Sequence, residues 1–258
     1  MKNSSKDVCI VGGGMGSLSA AIYLNKKGFN VSIYEKNSTL GGRANIIEEK
    51  GFKFDVGPSL LNYPWIFENL FKEAGEKMSD HIDLIEINSG VKFLWDDKET
   101  FTITSDFPKL SNEIARLEKS HINGLNSFLK INSQRYNIAF EKLLNRNLDN
   151  PVKWGTGLGA KELFSGSMFK SMYKDLGAHF KSRYIKEAFG SYAMYLGGSP
   201  FKIPGFFSIL PYGEIAYGLW MPKGGIYSLI EKLEEILIRI GVKIYKDSPV
   251  KEIAIKDN

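Results

Sequence analysis

The order of apolar and polar positions at the start of the chain predicts a strand, a helix and a second strand. The apolar run Val8–Val11 predicts the first strand, and a glycine-rich turn follows it directly. A helix is predicted to begin near Met15, and Asn30–Tyr34 predicts the second strand. This order indicates an α/β protein that begins with a Rossmann-like unit.

Farther along, the pattern predicts a mixture of helices and short strands. Helices are predicted at 65–74, 110–117, 125–144 and 226–240, and strands at 84–87, 91–95, 101–104, 242–245 and 250–255. The three short strands between 84 and 104 are expected to form an antiparallel insertion. The closing strand at 250–255 is expected to have a hairpin partner.

The first turn and the acid after the second strand have the chemistry of a dinucleotide site. Gly12 permits a tight turn, Gly14 lets the backbone approach a pyrophosphate, and the following helix directs unpaired N–H groups at the phosphates. Glu35 can accept hydrogen bonds from the ribose hydroxyls and would repel a 2′-phosphate, so FAD or NAD is favoured over NADP. Ser17 stands where glycine is usual in this motif.

The residues after Glu35 indicate a site for FAD and not for NAD. The run Glu35-Lys36 to Leu40-Gly41-Gly42-Arg43 resembles the second signature of the amine-oxidase-like flavoproteins. The resemblance implies that the glycines fold back over the pyrophosphate and that Arg43 contacts the cofactor. A guanidinium suits that task because it presents planar, bidentate donors to phosphate oxygens. The alternative is a polar turn with a solvated arginine.

Later motifs resemble the bacterial-type carotenoid desaturases, which act on phytoene or diapophytoene. These motifs are Gly51–Ser59, Tyr195–Pro200, Tyr212–Glu214 and Gly218–Gly225. The resemblance implies a Rossmann-like FAD-binding domain of the GR2 flavoprotein type with an inserted α+β substrate domain. It implies cofactor contacts at Gly12, Gly14, Met15, Gly16, Ser17, Glu35, Lys36, Gly42, Arg43, Gly57, Pro58, Ser59 and Val250, the last through its backbone.

The resemblance also implies a domain division and an activity. The FAD-binding part is expected at 1–80 and 221–258, and the substrate domain at 81–220. Because members of the family are much longer, the C-terminal half is expected to be missing. The implied activity is FAD-dependent desaturation of a polyene. The alternatives are another FAD oxidoreductase of the amine-oxidase type, a carotenoid isomerase, or a non-catalytic prenyl-binding protein.

No catalytic residue is assigned from the sequence. Glu214 and Asp55 are ionisable and lie in the motifs that carry the resemblance, but each could equally cap a turn or pair with an arginine. The segment 151–222 is rich in aromatic residues, glycine and methionine. It is either an ordinary helical core or the wall of a tunnel for an apolar ligand with a membrane-docking surface. The resemblance favours the second interpretation, with a hydrophobic polyene as substrate.

Composition and residue counts bear on nucleic-acid binding, metal binding and membrane association. The chain has 258 residues, is 43% apolar and 24% charged, and carries a net charge of +5 with acidic and basic residues interspersed, which does not indicate nucleic-acid binding. The single cysteine, Cys9, is expected to be buried in the first strand. The histidines His81, His121 and His179 are far apart and expected at the surface, so no metal site is predicted. No apolar run is long enough to span a bilayer, and a cytoplasmic, peripherally membrane-associated protein is expected.

Overall fold

The computed structural model describes residues 6–88, 90–119, 121–144 and 167–255. The strands are β1 Asp7–Val11, β2 Asn30–Tyr34, β3 Asn45–Glu49, β4 Phe52–Val56, β5 Leu84–Glu86, β6 Val91–Leu94, β7 Thr100–Ile103, β8 Trp220–Pro222 and β9 Lys243–Tyr245. The α-helices are α1 Met15–Lys26, α2 Pro64–Glu73, α3 Phe107–Leu117, α4 His121–Ile138, α5 Met172–Leu176, α6 Arg183–Gly190, α7 Ile209–Tyr217 and α8 Tyr227–Arg239.

Short 3-10 helices lie at Met78–Asp80, Ser191–Leu196 and Gly205–Ser208, and α4 continues as a π-helix over Ala139–Leu144. The chain forms two compact units: residues 1–86 with 219–258, which we call the nucleotide unit, and residues 87–218, which we call the central unit. The predicted domain boundaries at 80 and 220 stay predictions.

The nucleotide unit is built on a three-stranded parallel sheet in the order β1-β2-β9. Val31 and Ile33 of β2 point to one face of the sheet and are buried in a core that includes Leu18 and Ile22 of α1 and Leu233 of α8. The apolar positions of both helices recur at helical spacing, so each helix buries one stripe in this core.

The expectation that Cys9 is buried is wrong, because its side chain is exposed. Successive side chains of a strand point to opposite faces. Ile10 packs partly buried against the core, so its neighbours Cys9 and Val11 lie on the other face, where Val11 is 55% exposed. An apolar strand pattern could not show which alternate residues would face the core.

The three short strands do not form one antiparallel sheet. β6 and β7 pair as a hairpin in the central unit, with Val91 opposite Ile103. β5 instead pairs with β8 in the nucleotide unit, where Leu84 lies opposite Pro222. The prediction missed this pairing because β8 lies more than a hundred residues from β5 in the sequence, whereas β6 is the next strand after β5.

The predicted closing strand at 250–255 is also wrong. Residues 249–255 have no strand hydrogen bonding in the structure, and the side chains of Ile253 and Ile255 are 70% and 88% exposed. A strand requires a partner for its backbone groups. Within the described part of the chain, this segment has none.

The central unit has a core of its own, rich in aromatic side chains. Phe101, Phe128, Phe180 and Phe189 are almost completely buried there, and the Phe128 and Phe189 ring centroids are 5.1 Å apart. Part of the aromatic segment is therefore core. Other members of it are exposed, namely Met168, Phe169, Met194, Tyr195, Phe201 and Tyr217, while Trp154 and Phe164 lie outside the described residues.

Buried polar side chains accompany this core. The guanidinium of Arg135 donates two hydrogen bonds to the carboxylate of Asp175, at 2.6 and 3.0 Å. His179 is buried, with Nδ1 3.0 Å from the Ser127 hydroxyl, so the expectation of a surface residue is wrong for this histidine. Burial also lowers its pKa.

Among the described helices, none is long and apolar enough to cross a membrane.

Candidate dinucleotide site

The turn between β1 and α1 presents backbone N–H groups at a helix start. Gly12 donates its N–H to the Tyr34 carbonyl at 2.8 Å, which joins the turn to β2. Gly14 is the N-cap of α1, and its carbonyl accepts from the N–H groups of Ser17 and Leu18 at 2.9 and 3.1 Å. The first N–H groups of a helix have no intrahelical acceptor and attract anions. Gly14, Met15 and Gly16 therefore form a candidate phosphate site.

The second glycine segment packs on this turn. Gly41 donates its N–H to the Gly13 carbonyl at 2.8 Å, and Gly41 and Gly14 form an isolated parallel bridge. A Cβ placed on Gly42 would lie 3.1 Å from the Gly14 Cα. Gly42 therefore has little room for a side chain, and the two glycine segments form one surface.

Glu35 is buried directly after β2, with 5% exposure. Its Oε2 accepts a 2.6 Å hydrogen bond from the Gly13 N–H, and Oε1 accepts a 2.9 Å bond from the Asn37 N–H. Burial by itself would raise the pKa of Glu35, but the hydrogen bonds from the backbone of Gly13, Asn37 and Lys36 outweigh burial and lower it. The carboxylate is thus ionised at neutral pH, and each oxygen has a further lone pair.

A cavity of about 930 Å³ lies in the nucleotide unit beside the two glycine segments. Of the residues predicted to contact a cofactor, it is lined by Gly14, Met15, Gly16, Gly42, Arg43, Gly57 and Pro58. Its size is typical of a site for a cofactor-sized ligand. The structure thus brings segments around residues 15, 42 and 57 together in one wall.

The other predicted residues do not line this cavity. They are Gly12, Ser17, Glu35, Lys36, Ser59 and Val250. Gly12 and Glu35 are tied to the glycine turn and its neighbouring strand by the hydrogen bonds given above. Val250 is 40% exposed in the segment that follows β9.

An apolar part of the cavity wall was not predicted from the sequence. This part consists of Leu60, Leu61, Tyr63, Ile66 and Phe67 before and within α2, and Ile226, Leu229 and Ile230 around the start of α8. The apolar stripe of α8 was visible in the sequence, but a stripe does not show whether a residue packs in a core or borders a cavity. The run that follows Pro58 directly was the available signal for Leu60 and Leu61.

Asp55 is a helix cap. Its Oδ2 accepts a 2.8 Å hydrogen bond from the Ile226 N–H, and Oδ1 accepts a 3.1 Å bond from the Tyr227 N–H. These are N–H groups at the start of α8 without intrahelical acceptors. Of the alternatives left open for Asp55, the structure supports the cap.

Glu214 has a different environment, inside the central unit. It is 2% exposed, and its Oε2 accepts a 2.5 Å hydrogen bond from the Tyr192 hydroxyl. Its Oε1 has no hydrogen-bond partner among the described residues. The pKa of Glu214 is raised, because the effect of burial outweighs that of the Tyr192 hydrogen bond, which acts to lower it. Burial and the neighbouring Glu214 also raise the pKa of Tyr192. Glu214 therefore pairs with a phenol instead of an arginine.

Sequence comparison identifies relatives of the whole chain. Residues 10–74 match the NAD(P)-binding Rossmann-like domain family. The zeta-carotene-forming phytoene desaturase of Myxococcus xanthus is 29% identical over 95% of this chain and 48% of its own length. The 4,4'-diapolycopene oxygenase of Methylomonas sp is 31% identical over 99% of this chain and 52% of its own length. The chain is a homologue of the carotenoid desaturases. It spans about half the length of these curated relatives.

Solved structures confirm the predicted fold. An oxidoreductase from Methanosarcina mazei superposes with a TM-score of 0.63 at 20% identity, over 97% of this chain and 53% of its own. Putrescine oxidase superposes with a TM-score of 0.57 at 16% identity, over 95% of this chain and 51% of its own. This homologue of the carotenoid desaturases therefore has the Rossmann-like fold of the amine-oxidase-like flavoproteins.

Proposed function

We propose that this chain binds FAD and takes part in the dehydrogenation of a polyene such as phytoene or diapophytoene. The observation that carries the proposal is the cavity beside the two glycine segments, which continues from a phosphate-binding helix start onto an apolar wall. Relatives named as a phytoene desaturase and a diapolycopene oxygenase support the substrate class.

The residues present fit FAD. A Cβ on Gly14 would meet no atom within 4 Å, so the space beside this glycine is open. Close approach of a pyrophosphate to the backbone requires such open space. The ionised carboxylate of Glu35 suits ribose hydroxyls. The apolar side chains of Leu61, Ile66 and Phe67 continue the wall beyond the phosphate site. An extended cofactor with a large flat ring needs such a continuation.

In the proposed reaction bound FAD would accept a hydride from an allylic carbon, while the neighbouring carbon would lose a proton to a general base, so that a double bond forms between the two carbons. The chain's own residues bind and orient FAD. The α1 start holds the pyrophosphate, Glu35 selects an unphosphorylated ribose, and Arg43 provides donors for phosphate oxygens. The apolar wall excludes water from the ring. We assign no general base, since Asp55 is occupied as a helix cap.

The FAD assignment is tested by titrating the purified chain with FAD and following the quenching of flavin fluorescence. Glu35→Ala and Arg43→Ala should each weaken binding at least tenfold, about 1.4 kcal/mol. The matched control is Glu49→Ala, at an exposed carboxylate on β3. Unchanged affinity in both site variants would exclude the proposed cofactor site.

The reaction is tested by anaerobic incubation of the FAD-loaded protein with phytoene or diapophytoene in liposomes. Desaturation predicts bleaching of the flavin and a product with longer conjugation. A change of double-bond geometry without net oxidation would instead indicate an isomerase. Bleaching by amines but not by polyenes would indicate an amine oxidase, and polyene binding without FAD would indicate a lipid carrier.

The central unit offers a surface for the proposed membrane contact. Phe201 is 65% exposed, and its ring centroid lies 4.6 Å from that of Tyr173. The Lys186 ammonium lies 4.9 Å from the Tyr173 ring centroid. Aromatic rings beside lysine suit the interface of an anionic bilayer. Phe201→Ser should reduce sedimentation with anionic vesicles, whereas Leu94→Ser, at a residue 74% exposed elsewhere in this unit, should not.

A further inference from the structure

Asp55 connects two segments that are distant in the sequence and border the same cavity. Asp55 lies in β4, shortly before Gly57 and Pro58, which form part of the cavity wall. Its carboxylate accepts hydrogen bonds from the N–H groups of Ile226 and Tyr227 at 2.8 and 3.1 Å, and Ile226 lines the same cavity. The two hydrogen bonds therefore join two parts of one wall.

The hairpin of β3 and β4 brings a further wall segment to the same place. Asn45 at the start of β3 pairs with Val56 at the end of β4. The residues just beyond this pair, Ala44 and Gly57, both line the cavity, and a Cβ on Gly57 would lie 3.5 Å from the Ala44 Cα. A movement of the hairpin relative to α8 would therefore change the width of the cavity.

The contact between Asp55 and the start of α8 requires the glycine that precedes Ile226. A Cβ on Gly225 would overlap the Asp55 Oδ2. Gly225 also has a φ of +91°, a left-handed conformation that side chains disfavour. The motifs Gly51–Ser59 and Gly218–Gly225 thus meet at this point, where the first supplies the acceptor and the second supplies the space.

The rest of α8 is held by other contacts. Leu229 and Ile230 are each 1% exposed, and a Cβ on Gly41 would lie 3.3 Å from the Ile230 Cγ1. The core thus fixes the body of the helix. Its first N–H groups have no intrahelical acceptor, and a carboxylate at this end is favoured by the helix dipole. Loss of Asp55 should therefore release the first turn of α8 without unfolding the helix.

We propose that Asp55 is a positioning residue of the cofactor site, which keeps Ile226 and the Gly57 segment in one wall before FAD binds. This inference rests on the proposed function. Without the carboxylate, the first turn of α8 would be aligned with the wall only part of the time. Because only the aligned form would bind FAD, an aligned fraction of about one tenth would weaken the apparent affinity about tenfold.

The test compares FAD with ADP, a probe that carries the pyrophosphate and ribose but no flavin. Isothermal titration calorimetry measures the affinity of both for the unsubstituted chain, Asp55→Ala and Asp106→Ala. Asp106 is the matched control, because it caps α3 by accepting a 3.1 Å hydrogen bond from the Lys109 N–H. Both alanine variants lose an aspartate helix cap, but Asp106 lies in the central unit, outside the nucleotide unit.

Asp55→Ala should weaken FAD binding about tenfold and change the ADP affinity by less than about twofold. Asp106→Ala should leave both affinities unchanged. Asp55→Asn keeps one acceptor oxygen and should recover part of the FAD affinity. Thermal melts set a temperature at which each variant is folded. If Asp55→Ala does not fold, Asp55→Asn takes its place, with an expected loss of about threefold for FAD alone.

Three results would overturn the positioning role. Equal FAD affinity in the Asp55 and Asp106 variants would mean that the cap supports only the fold, and the proposed function would stand. Equal losses of FAD and ADP affinity would mean that the whole nucleotide unit has changed and not the wall. Failure of the unsubstituted chain to bind FAD would contradict the proposed function and this inference with it.

Discussion

Replacing Gly14 by alanine separates the requirements of the fold from those of the cofactor. Gly14 has φ −72° and ψ 170°, an extended conformation that any residue adopts, and an added Cβ meets no atom within 4 Å. A glycine-to-alanine change at a compatible position stabilises by about 0.4–1 kcal/mol, but alanine is a poorer N-cap than glycine. We expect these effects to offset each other to within about 1 kcal/mol.

Gly41 is the matched contrast in the adjoining segment. Its φ of +106° disfavours a side chain, and an added Cβ would lie 2.0 Å from the Ala44 carbonyl oxygen. Because that oxygen belongs to the backbone, relief requires a shift of the loop. We expect Gly41→Ala to lower the free energy of unfolding by at least about 2 kcal/mol.

Urea denaturation measures the free energy of unfolding of both variants, and FAD titration measures their affinity. Gly14→Ala should unfold like the unsubstituted chain yet bind FAD at least tenfold more weakly, about 1.4 kcal/mol, because its methyl group would occupy open space that we propose for the pyrophosphate. A loss of stability above about 2 kcal/mol would mean that the fold itself requires Gly14. Unchanged FAD affinity would refute the close approach of the cofactor.

Three further predictions concern charged side chains that form hydrogen bonds inside one unit. Asp55→Ala should cost about 0.5–2 kcal/mol in urea denaturation through loss of the α8 cap, and Asp55→Asn should recover most of it. Because the pKa of Glu214 is raised, its contribution to stability is full below the ordinary glutamate pKa and is lost as pH rises through the folded pKa. Glu214→Gln should therefore flatten stability against pH in that window, and an unchanged profile would contradict the assignment. Arg135→Met should destabilise by about 3–5 kcal/mol by leaving Asp175 unpaired, and adding Asp175→Leu should restore much of the loss in a double-mutant cycle; equal losses in single and double variants would argue against the pair.

Much of the nucleotide unit was predictable because its signals are local. The first strand, the start of α1 at Met15 and the span of β2 follow from short-range periodicity and from the conformational freedom of glycine. The acid at Glu35 follows β2 directly, so its place at the end of a strand was fixed by adjacency. The later motifs, such as Gly51–Ser59 and Gly218–Gly225, supported the relationship to the carotenoid desaturases, which the comparisons confirm.

The pairing of the short strands and the contacts between distant segments were not predictable in this way. β5 finds its partner across the sequence at β8, and Asp55 caps a helix whose first turn lies 171 residues away. Local pattern carries no information on such contacts, because they depend on which distant backbone groups arrive nearby. For the same reason the sequence could not distinguish the roles of Asp55 and Glu214. In the structure Asp55 caps a helix, whereas Glu214 is buried and bonded to Tyr192.

The sequence by itself determined the strand, glycine turn, helix and acid of a dinucleotide site, since hydrogen bonding within a few residues and glycine geometry specify each of them. Only the tertiary structure decided that Gly41 rests on Gly13, that α2 and α8 supply an apolar wall, and that the side chain of Cys9 is exposed. Exposure and cavities are properties of packing between segments distant along the chain. A periodic pattern shows that a residue is apolar, but not what will cover it.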